Sequence, residues 1–128
     1  MLEHFDGLPF HQYLGMTIEE TAPDYAKLRL VITADTPQGI GGSVNGGVLA
    51  TLLDMAGVAA VFSNMFEGSE PAGTADLQIT YLRPATGRWL DAEARVVKRG
   101  RQLCTVNIDI FSDDRVQCAT GRILYALR

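Results

Sequence analysis

One stretch of the chain decides most of what it can fold into. Between Asp35 and Glu67 the only charged residue is Asp54. It lies inside the run Val44-Asn45-Gly46-Gly47-Val48-Leu49-Ala50-Thr51-Leu52-Leu53-Asp54-Met55-Ala56-Gly57-Val58-Ala59-Ala60-Val61-Phe62. From Val48 to Ser63 there is no period of two, and Ala, Leu and Met dominate. The segment therefore reads as a helix that is apolar nearly all round, and so buried. It is too short for a membrane span and has an acid near its centre. A helix with no polar face needs a sheet that curves around it.

The rest of the chain supplies that sheet. Ala75, Leu77, Ile79 and Tyr81 alternate with Asp76, Gln78 and Thr80. Leu90, Ala92, Ala94 and Val96 alternate with Asp91, Glu93 and Arg95. Cys104, Val106, Ile108 and Ile110 alternate with Thr105, Asn107 and Asp109. Each pattern has the period of a half-buried strand. Turn residues separate them: Pro84 and Gly87, then Gly100, then Asp113 and Asp114. Val116 to Leu127 is a further strand whose alternation slips near Gly121, as at a bulge. Tyr25 to Thr33 is a strand before the helix, and Met16 to Thr21 is placed to pair with it. The expectation is an α+β fold in one domain, residues 1–128, with a helical or irregular lead-in over 1–15. A long central helix is wrapped by a curved, mostly antiparallel sheet of five to six strands.

Composition narrows the class. A net charge of −4 provides no bulk basic field for nucleic acid or an anionic membrane surface. Two cysteines, Cys104 and Cys118, fall on strands and read as reduced, buried small hydrophobes. The two histidines, His4 and His11, lie near the start, far from both cysteines, so no zinc spacing exists and no metal is expected. No basic segment followed by an apolar run opens the chain, and a cytoplasmic location is expected. No serine sits in a G-x-S-x-G elbow, against an α/β-hydrolase esterase.

Gly39 to Gly47 holds five glycines and runs into the helix. The first N–H groups of a helix lack intrahelical partners, and its dipole adds positive potential there. Gly46 and Gly47 would let a ligand approach that backbone and hold a developing oxyanion. Equally, Asn45 is a good N-cap and the glycines suit a turn. Asp54 is either a working acid or a buried carboxylate bonded to a hydroxyl or backbone group, Thr51 being on the same face. Asn45 and Asp54 project to opposite helix faces, about 13 Å apart along the axis. If both act on one carbon, they come from two subunits, with the site at a homodimer interface.

The run Asn45-Gly46-Gly47-x-x-x-x-Leu52-Leu53-Asp54-x-Ala56 resembles the signature of hotdog-fold acyl-CoA thioesterases of the phenylacetate-pathway (PaaI-like) family. Thr74-x-Asp76-Leu77-x-Ile79-x-Tyr81-Leu82-Arg83-Pro84-Ala85 resembles the following strand, and Lys98-Arg99-Gly100-Arg101 the next hairpin. The three motifs occur in order, over about residues 10 to 127. The resemblance implies a hotdog fold that dimerises edge to edge and often pairs again into a homotetramer. It implies that Asp54 activates a water as general base, or attacks the thioester carbon directly. The Gly46 N–H, with Gly47 nearby, would polarise the thioester carbonyl, and Thr74 would place the water or Asp54. Asn45 stands where the family usually has His; it can donate a hydrogen bond but cannot take up a proton. Upstream, where related enzymes carry a polar residue, this chain offers Gln38 and Gly39.

Arg83, Lys98, Arg99, Gly100 and Arg101 form the chain's basic cluster, which is either a solvated hairpin or an anion site. The resemblance implies that it meets the nucleotide phosphates of coenzyme A, which enters as part of the substrate; no separate cofactor is expected. Two other readings accompany thioester hydrolysis. One is a non-catalytic protein that binds acyl-CoA or another acyl ligand, suggested by Asn45. The other is an enoyl-CoA hydratase, disfavoured because the central region has no histidine.

Overall fold

Asn45 sets the start of the long helix. Its side-chain Oδ1 accepts a hydrogen bond from Gly47 N–H at 2.8 Å, and its carbonyl accepts from Val48 and Leu49 N–H. In the computed structural model, which describes residues 2–128, the elements in chain order are helix α1 (Pro9–Leu14), strands β1 (Met16–Ala22) and β2 (Tyr25–Val31), helix α2 (Gly46–Phe62), and strands β3 (Pro71–Tyr81), β4 (Trp89–Arg99), β5 (Leu103–Ser112) and β6 (Gln117–Leu127). Short 3-10 turns cover Leu2–Gly7 and Ile40–Gly42. Because the cap lies at Asn45, α2 begins two residues before the apolar run that announces it. No helix among the described residues is long and apolar enough to cross a membrane.

The six strands form one antiparallel sheet in the order β1-β2-β4-β5-β6-β3. The chain leaves β2, passes through α2 beneath the sheet, and emerges as β3 on the far edge. That crossing puts β3 next to α2 with one side unpaired. Leu52, Leu53, Ala56, Ala59, Ala60 and Val61 of α2 are fully buried against Leu28, Leu90, Val106, Ile108 and Ile123 of the sheet core. Each such leucine contributes about 2 kcal/mol of transfer free energy.

Two glycines set how close helix and sheet come. A Cβ on Gly57 would lie 2.5 Å from Ile123 Cδ1, and one on Gly121 would lie 2.7 Å from Leu53 Cδ1 and collide with Gln78 O. Gly121 itself pairs regularly with Ile79 and Ile108. The slip in β6 is therefore not a bulge at Gly121. The irregularity lies three residues earlier, where Ile110 pairs with Ala119 but Phe111 pairs with Gln117, which leaves Cys118 as the extra residue. Gly121 is there to admit the helix.

A second irregularity matters more for the site. On β3, Thr74 pairs with Tyr125 and Asp76 with Leu124, so Ala75 is bulged out. The expected inward set of Ala75, Leu77, Ile79 and Tyr81 is thus corrected at its first member. Ala75 is exposed and Thr74 takes the helix-facing place. Further breaks fall at Ala72, next to Gly73 with its φ of +127°, and at Val97 on β4.

Candidate active site

Asp54 lies midway along α2, half-buried, on the side covered by β3. Thr74 Oγ1 donates to Asp54 Oδ1 at 2.7 Å. Among the described residues the carboxylate therefore has a single neutral donor and no cation paired with it. Burial pushes its pKa above the ordinary carboxylate range, and the Thr74 hydrogen bond pulls part of the way back. Such a carboxyl group is more basic than a solvated one. Thr51, the alternative partner in sequence, instead donates to Gly47 O. Tyr125 stands beside Thr74 on β6, packed edge-on against Phe62 at 5.7 Å between ring centroids. Its phenol is raised by burial and then by the Asp54 charge, which places it in that carboxylate's neighbourhood. Sequence reading treats Tyr125 only as a strand residue; its pairing with Thr74 depends on register.

At the start of α2 the amides are divided. Gly47 N–H is taken by Asn45 Oδ1, and the next two N–H groups by the Asn45 carbonyl. Gly47, expected beside the Gly46 donor, gives its own N–H to the cap. Gly46 N–H is the one first-turn amide with no partner among the described residues, and Asn45, exposed, keeps its Nδ2 free. Tyr81 Oη donates to Gly46 O at 2.6 Å. Gly46 opens on a cavity of about 430 Å3 whose walls include Ile40, Leu49, Tyr81, Leu82 and Arg83. Ile40 and Leu82 on its rim are exposed.

Gly46 and Asp54 are eight residues apart on one straight helix, about 12 Å along the axis. One chain cannot put both against one carbonyl.

The basic cluster does not hold together as read from the sequence. Arg83 follows β3 at the end of the sheet where β4 begins, and its Nη1 donates to Gln117 O at 2.9 Å. Lys98 and Arg101 flank the opposite end of β4, level with Thr74 through the row Arg99–Cys104–Tyr125–Thr74. Arg99 leaves the cluster altogether. Its side chain is 8% exposed, pairs with Asp24 at 2.8 Å, and donates to Val61 O at 2.9 Å and Ala60 O at 3.4 Å. It closes the C-terminal carbonyls of α2 instead of facing solvent. The Gly100 N–H is likewise spent on Leu103 O across the hairpin, at 2.9 Å. Lys98 and Arg101 remain exposed, and Arg101 borders a depression of about 570 Å3 with Phe66 and Arg128.

A long apolar helix wrapped by one antiparallel sheet, with an acid and a hydroxyl facing each other at its midpoint, defines a hotdog-fold protein. The sequence profile of the thioesterase superfamily matches residues 41–119, and the chain belongs to that superfamily. It is 25% identical over 134 aligned positions to YigI of Escherichia coli, named a medium/long-chain acyl-CoA thioesterase, covering 92% of this chain and 84% of that one. The fold superimposes on the E. coli PaaI protein from the phenylacetic acid degradation operon with a TM-score of 0.82, 24% identity, and 95% and 86% of the two chains. It also superimposes on the BH2602 protein of Bacillus halodurans, crystallised with CoA, with a TM-score of 0.74, 29% identity, and 80% and 66% of the two chains. These findings bear out the resemblance and the fold expected from the three motifs.

Proposed function

We propose that the protein hydrolyses acyl-CoA thioesters to a free acid and CoA, with Asp54 as the catalytic carboxylate. The observation that carries this is the half-buried Asp54 bonded to Thr74 Oγ1, its basicity raised by burial. YigI supports acyl-CoA as the substrate class, and BH2602 supports a CoA site on this fold.

Asp54 takes a proton from water, and the resulting hydroxide forms a bond to the thioester carbon. The carbonyl oxygen becomes an oxyanion facing Gly46 N–H and the free Nδ2 of Asn45. Collapse of this intermediate breaks the C–S bond; the CoA sulfur leaves with the electron pair and takes up the proton. Thr74 orients the carboxylate.

The 12 Å between Gly46 and Asp54 supports a site shared by two subunits, Asp54 from one and Gly46 from the other. The free edge of β3, which carries both contact residues, is the edge we assign to that homodimer. Two such dimers would pair into a homotetramer. Lys98 and Arg101, on the hairpin level with Thr74, are the groups proposed for the CoA phosphates, with Arg83 at the rim of the Gly46 cavity.

The test is thiol release from a panel of acyl-CoAs varied in chain length and aromaticity. Turnover of at least one, lost in D54N, is expected. Wild-type turnover by D54N would overturn the assignment. Tight binding across the panel without turnover would make the protein a non-catalytic acyl-CoA binder.

A further inference from the structure

We infer that Tyr81 is a positioning residue of the active site: its hydroxyl holds the Gly46 carbonyl, and so fixes the residue whose N–H faces the substrate. This rests on the proposed thioester hydrolysis and extends it to a residue outside the reacting groups. The Gly46–Gly47 peptide is held at both polar ends. Tyr81 Oη donates to its carbonyl at 2.6 Å, and its N–H donates to Asn45 Oδ1 at 2.8 Å. On the other side, the peptide that carries the Gly46 N–H is held at the Asn45 carbonyl, which accepts from Val48 N–H at 3.0 Å and Leu49 N–H at 3.1 Å, and Asn45 N–H donates to Pro37 O at 2.9 Å. Gly46 N–H is left between two anchored units, free itself but unable to swing.

Glycine needs such anchoring. Without a side chain, Gly46 would sample a broad range of φ, and a donor that reorients during reaction stabilises an oxyanion poorly. Glycine also makes the contact possible, since a Cβ on Gly46 would lie 3.2 Å from Tyr81 Cζ and 3.2 Å from its oxygen. Loss of the hydroxyl should leave the helix intact, because the Gly46 carbonyl still belongs to the intrahelical ladder. Tyr81 also walls the cavity onto which Gly46 opens. Its ring is about half exposed, so hiding apolar area from water is not its main use.

The experiment compares Y81F with wild type and D54N on one acyl-CoA. Y81F should lower kcat about 5- to 50-fold, as the Gly46 N–H loses its fixed aim on the developing charge, while KM stays within about twofold. Two inert analogues give a readout that a purely structural role would not move. Affinity for a thioether lacking the carbonyl should be unchanged, whereas affinity for a ketone analogue that keeps it should fall. G46A, whose methyl would crowd the tyrosine oxygen, should reproduce this pattern with the hydroxyl present and serves if Y81F folds poorly. Wild-type kcat in Y81F, or equal loss of thioether and ketone binding with kcat retained, would overturn the inference. If D54N keeps its turnover, the hydrolytic reading itself fails; if D54N is dead and Y81F is fully active, only the role of Tyr81 fails.

Discussion

Thr74 and Tyr81 stand an odd number of residues apart on one strand and still reach the same helix, Thr74 bonding Asp54 and Tyr81 bonding Gly46. In a regular strand residues 74 and 81 would face opposite ways. The bulge at Ala75 resets the parity, so that Leu77, Ile79 and Tyr81 continue on the face that Thr74 began. One extra residue thus lets a single strand serve both the middle and the start of α2.

Replacing Asp54 should separate activity from stability. D54N keeps an oxygen for Thr74 but no basic group, and kcat should fall about 10²- to 10⁴-fold. The folded carboxyl titrates above its unfolded value because of burial. Below about pH 4 both states are protonated and burial costs no charge. As pH rises the unfolded chain ionises first, so stability declines until the raised folded value is passed. Chemical denaturation should therefore find D54N at least as stable as wild type at pH 7, with the difference shrinking towards pH 4. A marked loss of stability at neutral pH would contradict this.

Thr74 tunes the same group in the opposite sense. Its hydrogen bond lowers the carboxyl pKa against the effect of burial. T74V removes that donor, so the acid limb of the kcat/KM profile should move to higher pH and the plateau should drop. T74S should return the limb to its wild-type position. An unmoved limb in T74V would mean that Asp54 does not set it.

The basic residues should divide into two kinds. R99M removes a buried guanidinium that satisfies Asp24, Val61 O and Ala60 O, and unfolding free energy should fall by about 2–3 kcal/mol. K98A and R101A, both at exposed positions, should leave melting unchanged and raise KM for acyl-CoA, more so at low salt. A KM effect in R99M without loss of stability would reverse the assignment.

The shared site proposed above can be rebuilt from two broken copies. D54N and G46V should each be inactive alone. After subunit exchange, a mixed dimer contains one intact site, and an equimolar mixture should recover up to about a quarter of wild-type activity. No recovery despite demonstrated exchange would place both groups in one chain.

Much of this is legible in the sequence alone. The apolar run from Val48 to Phe62 announced a buried helix, and period-two patterns announced four strands with their turns. A lone acid in that helix marked itself. Less legible were features that depend on register. Ala75 looks like an inward residue until its strand is paired, so Thr74 came from resemblance and not from alternation. Tyr81 looked like ordinary strand apolarity. Arg99 sits in a run of basic residues, and only the fold shows it turned inward to the end of α2. Spacing along a chain identifies a face; which element packs on that face is decided across the sheet.

Arg99 has a consequence beyond stability. A helix polarises whatever lies beyond both of its ends, negative at one and positive at the other. Here the negative end is plugged by a guanidinium, itself balanced by Asp24. The positive end keeps one unclaimed amide. An approaching molecule therefore meets a helix whose field is open in one direction only, towards incoming negative charge.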